Sequence, residues 1–143
     1  MVTVTKTIAI NAPVEKVFSY LDEPVNIPEV WPSLVEVSEV QRLPNGGTSF
    51  RWTYKMAGMR FEGASETIEY AANHHTLVKS KGGIESMIKW TFQPEAGGTK
   101  VIFDADYTVP VPLLGKLAEA FIVKQNEQEA ETILANLKSR MEA

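Results

Sequence analysis

Among the side chains that could do acid–base chemistry is a carboxylate on a strand whose inward face cannot be read from its pattern. From residue 59 to residue 70, one face of an extended chain carries Glu62 and Glu66, and the other carries Phe61 and Glu69. Either register therefore turns a carboxylate inward. If Glu66 faces an apolar interior, it is a candidate acid, base or hydrogen-bond anchor. The alternative is a hydrated Glu66 on the outer surface.

Two tyrosines and one amide are further candidates for polar contacts with a bound molecule. Tyr54 and Tyr107 lie at apolar positions of their strands, and a buried phenol requires a hydrogen-bond partner that a ligand could supply. Near the C-terminus, Gln125, Asn126 and Glu129 separate two apolar stretches of a helical pattern. Asn126 is placed to contact the polar end of a ligand, and the alternative is a polar surface patch.

Other chemistry finds little support in the sequence. The pair His74-His75 falls in a turn without a carboxylate or cysteine at ligand spacing, which favours surface histidines over a metal site. The chain has no cysteine, so it has neither disulfides nor a thiolate nucleophile. Its glycine doublets lack the lysine that ends a phosphate loop, and no Gly-x-Ser-x-Gly motif is present. We expect no metal and no cofactor.

The composition predicts one domain spanning residues 1–143. A hydrophobic content of 44% is sufficient for one core in a chain of 143 residues. The net charge of -4 would repel nucleic acid, so we do not expect DNA or RNA as a partner. The N-terminus does not resemble a signal peptide, and no apolar run approaches the roughly 20 residues that span a bilayer. A cytoplasmic location is the expectation.

The chain can be divided into strands and helices by its pattern and its turn residues. Residues 2–10 alternate as a strand does, and residues 13–21 predict a helix, followed by a short segment broken by Pro24, Pro28 and Pro32. From residue 34 to residue 109, five turn signals separate six strands. The connections are too short for crossover helices, so the strands should form an antiparallel meander.

Alternation within three of the strands predicts an apolar, aromatic face and a polar face. The residues predicted to point inward are Phe50, Trp52, Tyr54 and Met56, then Ile84, Ile88, Trp90 and Phe92, then Val101, Phe103, Ala105, Tyr107 and Val109.

A long helix is predicted from about residue 113 to Met141, roughly 45 Å in length. Its apolar stripe changes direction along the way: the front residues point more than a third of a turn from the rear ones. This indicates either a bend near residues 124–128, or a front section that faces a portal or a partner while the rear packs on the sheet.

The order of these elements, together with four segments, resembles a known fold. The segments are IAINAPVEKVF at 8–18, WPSL at 31–34, GGTKV at 97–101 and YTVPVPLLG at 107–115. They resemble those of the START-like, polyketide cyclase/dehydrase superfamily, also called SRPBCC proteins. The resemblance implies an α+β helix-grip fold, in which a seven-stranded curved antiparallel sheet surrounds a long C-terminal helix. It spans nearly the whole chain.

The resemblance also implies a cavity between the sheet and the long helix, which in relatives holds lipids, sterols, polyketides or aromatic metabolites. A curved sheet and a straight helix cannot touch along their whole length, and ligand pockets typically measure about 300–1,000 Å³. The alternative is a core filled by side chains. The residues expected to contact a ligand are Trp31, Trp52, Tyr54, Met56, Ile88, Trp90, Phe103, Tyr107, Phe121, Ile122 and Asn126.

Three functions remain open from the sequence. The first is binding or carriage of a small hydrophobic molecule. The second is an enzyme of the cyclase, dehydratase or isomerase type, which would require two polar groups to converge in the cavity. The third is a membrane-associated or assembly role through the apolar segment 109–121, as in relatives resembling an accessory protein of carbon-monoxide dehydrogenase. That segment would contact a membrane surface or a second copy, unless it forms a lid over the cavity.

Overall fold

The computed structural model describes residues 2–109 and 116–143, and for residues 116–118 it describes the backbone alone. The element order is the predicted one. The elements are β1 (Val2–Ile10), α1 (Val14–Leu21), a 3₁₀ helix (Pro24–Glu29), β2 (Leu34–Arg42), β3 (Thr48–Met56), β4 (Met59–Ala71), β5 (His75–Gly82), β6 (Ser86–Glu95), β7 (Gly98–Tyr107) and α2 (Lys116–Met141).

The described strands form one antiparallel sheet in the order β1-β7-β6-β5-β4-β3-β2. Strands β2 to β7 are sequential neighbours, and β1 joins the far edge by pairing with β7. The predicted meander is therefore confirmed. Its tightest turn, between β3 and β4, has two residues at positive φ, Ala57 at 51° and Gly58 at 78°. Positive φ at both central residues is the conformation that two-residue hairpin turns favour.

The inner face of the sheet is the predicted aromatic one. The inward residues of β3, β6 and β7 are buried or half-buried, with Phe103 only 2% exposed. On the outer face of β7, Asp104 and Asp106 accept hydrogen bonds from Thr5 and Thr3 of β1 at 2.8 and 2.6 Å. The sheet thus has one apolar and one hydrated face, as alternation requires.

Strand β4 adopts the register that turns Glu66 outward. Phe61, Ser65 and Thr67 are buried on the inner face, and Glu66 is exposed on the outer face. Gly63 accounts for this register, because a Cβ at that position would lie 2.3 Å from Cζ2 of the Trp52 ring. Only a glycine leaves room for Trp52 there. Of the two alternatives for Glu66, the hydrated position on the outer surface is the one found, so Glu66 is no longer a candidate acid or base in the cavity.

The rear half of α2 is buried more extensively than its front half. Of the described strands, β1 is the one that α2 approaches most closely. The buried residues of the rear half are Ala130, Ile133, Leu134, Leu137 and Met141. In the front half, Ile122 is buried while Phe121 is 59% exposed. The helix is continuous through residues 124–128, so the change in its stripe reflects this difference in packing.

Residues 110–115 of the segment 109–121 lie outside the described residues, and so does the predicted start of the last helix at residue 113. At its two ends, Val109 is buried and Phe121 is exposed. None of the helices in the described ranges is long and apolar enough to cross a bilayer.

Candidate functional site

A cavity of about 170 Å³ lies between the inner face of the sheet, α1 and α2. It is smaller than the roughly 300–1,000 Å³ of pockets that hold drug-sized ligands. It is close to the ~150 Å³ of an apolar cavity that holds benzene. The interior is therefore not solid, and its free volume is sufficient for a molecule of about one aromatic ring.

Most of the residues expected to contact a ligand line this cavity. Those that do are Trp31, Trp52, Tyr54, Met56, Ile88, Trp90, Phe103, Tyr107 and Asn126. Phe121 and Ile122 do not belong to the described lining, which corrects two expectations. The reason lies in the helix: Phe121 points to solvent, and Ile122, about 100° further round, is enclosed by core side chains.

Edge-to-face aromatic contacts build one wall of the cavity. The ring centroids of Trp31 and Phe103 are 5.7 Å apart, and those of Trp90 and Phe103 are 4.9 Å apart. Trp31 also meets the ring of Tyr54 at 6.2 Å. Such pairs each contribute about 0.5–1.5 kcal/mol beyond burial, so they hold the wall in a defined shape.

A carboxylate, Glu129 of α2, is the centre of a polar cluster at this wall. Its Oε1 accepts a hydrogen bond from the Trp31 indole Nε1 at 3.1 Å and another from the Tyr54 hydroxyl. Its Oε2 accepts one from the Ser33 hydroxyl. Trp31 and Ser33 come from the loop before β2, and Tyr54 comes from β3. Three separate parts of the chain thus meet, with Glu129 on the helix at the centre.

The electrostatics of the cluster keep Tyr54 as a hydrogen-bond donor. Burial raises the pKa of the Tyr54 phenol well above its usual range, and the negative charge of Glu129 raises it further. No basic side chain in the described ranges forms an ion pair with Glu129. The charge of the carboxylate is consequently shared only with neutral donors.

A second polar pair lies one turn earlier on the helix. The Asn126 side-chain Nδ2 donates to the Tyr107 hydroxyl at 2.9 Å. Burial raises the pKa of Tyr107, and the Asn126 hydrogen bond partly opposes that rise. Since Tyr107 accepts from Asn126, its own proton remains free to donate to a molecule in the cavity.

Hydroxyl groups of β4 and β5 supply polar atoms on the floor of the cavity. The Ser65 and Ser80 hydroxyls are hydrogen-bonded at 2.6 Å, and Thr67 Oγ1 accepts from the Thr48 amide at 3.3 Å. The indole Nε1 of Trp52 is buried and has no hydrogen-bond partner among the described residues. All of these side chains line the cavity.

Sequence reasoning misses several of these groups. It names Glu129 only as part of the polar stretch around Asn126, and it does not single out Ser33, Ser65, Thr67 or Ser80. The alternation of Gly63, Ser65 and Thr67 on one face of β4 is the available signal, because the glycine marks that face as the inner one. Ser33 carries no signal of its own.

The histidine pair is placed away from the cavity. His74 is exposed in the turn between β4 and β5, and His75 is half-buried at the start of β5. Within residues 2–109 and 116–143, no three side chains of histidine, cysteine, aspartate or glutamate cluster as metal ligands would.

Comparison with known proteins assigns this chain to a family. The family described as polyketide cyclase/dehydrase and lipid transport matches residues 1–142. The chain belongs to this family, and its helix-grip architecture is that of START-like proteins. A search of curated proteins finds no match.

Solved structures show the same fold at low sequence identity. A START superfamily protein from Mycobacterium smegmatis is 18% identical with a TM-score of 0.80, over 98% of this chain and 97% of the other. A protein from Thermus thermophilus is 24% identical with a TM-score of 0.76, over 98% and 97%. The Zhui aromatase/cyclase from a Streptomyces species is 14% identical with a TM-score of 0.75, over 97% and 94%.

Proposed function

We propose that this protein binds or carries a small, largely apolar molecule in the cavity between the sheet and α2. The observation that carries the proposal is the cavity itself: about 170 Å³ of free volume, enclosed chiefly by aromatic and aliphatic side chains. A few polar groups converge on one wall, among them Glu129, Tyr54 and Asn126. Ligand sites characteristically combine an apolar enclosure with a few placed polar groups.

The three tryptophans of the chain, Trp31, Trp52 and Trp90, all line the cavity, so indole fluorescence will report its occupancy. Titration with toluene, a single-ring probe, should give a saturable change in this fluorescence. Mass spectrometry of any organic molecule that copurifies with the protein would then identify the natural ligand class.

Two matched substitutions of alanine by phenylalanine on α2 test whether the probe enters the cavity. Ala130→Phe places a ring at a position that lines the cavity, and Ala135→Phe places the same ring at an exposed position. We expect the first to abolish the toluene response and the second to leave it unchanged. If Ala130→Phe does not fold, Ala105→Leu fills the cavity from β7. A toluene response that survives in both folded cavity variants would contradict the proposal.

A second candidate is an enzyme of the cyclase, dehydratase or isomerase type. It is favoured by the convergence of two hydrogen-bonded pairs on one turn of α2, Glu129 with Tyr54 and Asn126 with Tyr107. In such an enzyme, Glu129 would take a proton from a carbon next to a carbonyl group. The Tyr107 hydroxyl would donate its hydrogen bond to the carbonyl oxygen as negative charge develops there.

Hydrogen–deuterium exchange at the methyl group of acetophenone tests this second candidate. The ketone has one ring, and its methyl protons lie next to the carbonyl group. The enzyme should speed deuterium incorporation from heavy water, and Glu129→Gln should remove the acceleration. Glu127→Gln, an exposed position on the same helix, serves as the control. Exchange at the same rate with and without protein would leave binding as the function.

A further inference from the structure

We propose that the cavity selects molecules whose polar end donates a hydrogen bond and carries no negative charge. The head groups that meet this description are a hydroxyl, a phenol or a protonated amine. Carboxylates and phosphates would be rejected. This inference rests on the proposed binding function and names the chemical class of ligand that the same site takes.

Glu129 has acceptor capacity that the described side chains do not fill. A carboxylate offers about four acceptor positions on its two oxygens. Among the described residues, Oε1 accepts from Trp31 and Tyr54, and Oε2 accepts only from Ser33. One position on Oε2 therefore remains for a donor supplied by the ligand, and a hydrogen bond to a charged group is among the stronger ones.

The described cavity lining carries acidic side chains and no basic ones. The described residues that line the cavity include two carboxylates, Asp22 and Glu129, and no lysine, arginine or histidine. Asp22 is paired with Arg42 at 3.1 Å, whereas the partners of Glu129 are neutral. A ligand carboxylate would therefore meet an uncompensated like charge without a cation to bind it.

Aromatic side chains of the cavity lining lie beside Glu129. Trp31 donates to Glu129 through its edge, and the rings of Tyr54 and Phe103 pack edge-to-face against it. Electron-rich ring faces attract a cation or a polarised hydrogen and repel an anion. The ring surface and the carboxylate thus favour the same kind of head group.

Four single-ring compounds of similar size test the proposal: toluene, benzyl alcohol, benzylamine and benzoate. Their dissociation constants are measured by indole fluorescence near neutral pH. We expect the alcohol or the amine to bind about tenfold more tightly than toluene, since hydrogen bonds to charged groups contribute that much. Benzoate should bind more weakly than toluene. A tighter amine would identify a cationic ligand, and a tighter alcohol a neutral one; both support the proposal.

The variant Glu129→Gln removes the charge and keeps the side-chain shape. In this variant, the alcohol and the amine should lose most of their advantage in affinity over toluene. Benzoate should bind with about the same affinity as toluene. Glu127→Gln removes the same charge from an exposed position of α2 and should change none of the four constants.

The outcomes separate this inference from the function on which it rests. If toluene binds but benzoate binds as tightly as benzyl alcohol, the charge selection is wrong and the binding function stands. A preference that persists in Glu129→Gln has the same meaning. If none of the four compounds changes the fluorescence or the melting temperature, both proposals fall.

Discussion

At the scale of single residues, the chemistry of this protein is concentrated around one carboxylate. Glu129 receives hydrogen bonds from an indole, a phenol and an alcohol that lie far from it along the chain. Without these donors, a half-buried carboxylate would lose hydration with no compensation. The cluster therefore stabilises the approach of α2 to the loop at Trp31 as well as shaping the polar wall of the cavity.

Tyr54 gives the cluster a predictable response to alkaline pH. Its pKa is raised above the ordinary value of 10.0, so above that pH the unfolded chain loses this proton while the folded chain retains it. The contribution of Tyr54 to stability is complete below pH 10.0 and declines as the pH rises further. We expect the free energy of unfolding, measured with urea, to fall less steeply above this pH in Tyr54→Phe than in the unsubstituted protein.

Tyr20 provides a comparison for that measurement. Its hydroxyl also donates to a glutamate, Glu29 at 2.5 Å, and burial and this hydrogen bond raise its pKa to about 12. Tyr20→Phe should therefore remove a contribution that declines between pH 10.0 and about 12. Equal pH slopes in all three proteins would show that neither phenol is coupled to folding.

At the scale of elements, the pairing of β3 with β4 decides which side chains face the cavity. Gly63 lies opposite Trp52, and the absence of a side chain at Gly63 lets the indole ring lie over the β4 backbone. This contact fixes Ser65 and Thr67 inward and Glu66 outward, since a slip of one residue would reverse all three.

A side chain at Gly63 should disrupt this arrangement. In Gly63→Ala, the added Cβ would lie 2.3 Å from Trp52 Cζ2 and 2.4 Å from the Lys81 carbonyl oxygen. We expect a loss of about 1–3 kcal/mol of stability, together with a change in tryptophan fluorescence as the ring is displaced.

The control for this variant is Gly58→Asn, in the turn that joins the same two strands. Nothing lies within 4 Å of a Cβ at Gly58, and asparagine tolerates its positive φ better than most residues do. A melting temperature that is unchanged in Gly63→Ala would show that the ring contact does not set the register.

At the scale of the whole molecule, the cavity lies between α2 and the inner face of the sheet. The rear half of the helix lies against β1, at one edge of the sheet, and the sheet continues from there through β7 to β2. Strand β1 contributes one residue to the described cavity lining, Val4, whereas each of the strands from β3 to β7 contributes two or more. The rear half thus anchors the helix, and the middle of the helix presents Asn126 and Glu129 to the cavity.

Two truncations on α2 should separate these roles. Leu137 is fully buried, so Leu137→Ala should cost about 2–5 kcal/mol in urea unfolding. Phe121 is 59% exposed and does not belong to the described cavity lining, so Phe121→Ala should cost much less and leave toluene binding intact. A comparable cost for both would mean that the front of the helix is also an anchor.

The sequence alone determined the order of the elements, the antiparallel meander and the inner faces of β3, β6 and β7. These follow from local signals: turn residues between strands, alternation along them and good helix formers near the C-terminus. The cavity-lining positions on those strands, such as Trp90 and Tyr107, could be predicted for the same reason.

Only the tertiary structure decided the register of β4 and the identity of the polar cluster. Both registers of β4 bury some carboxylate on the pattern alone, and the choice depends on how Trp52 meets Gly63 on the next strand. Glu129, Ser33 and Tyr54 are separated by up to 96 residues. The local sequence marks Tyr54 and the polar stretch around Asn126 as candidates for polar contacts, but it does not indicate that these three side chains meet. Their meeting depends on how closely a helix approaches a curved sheet, a distance that no local pattern records.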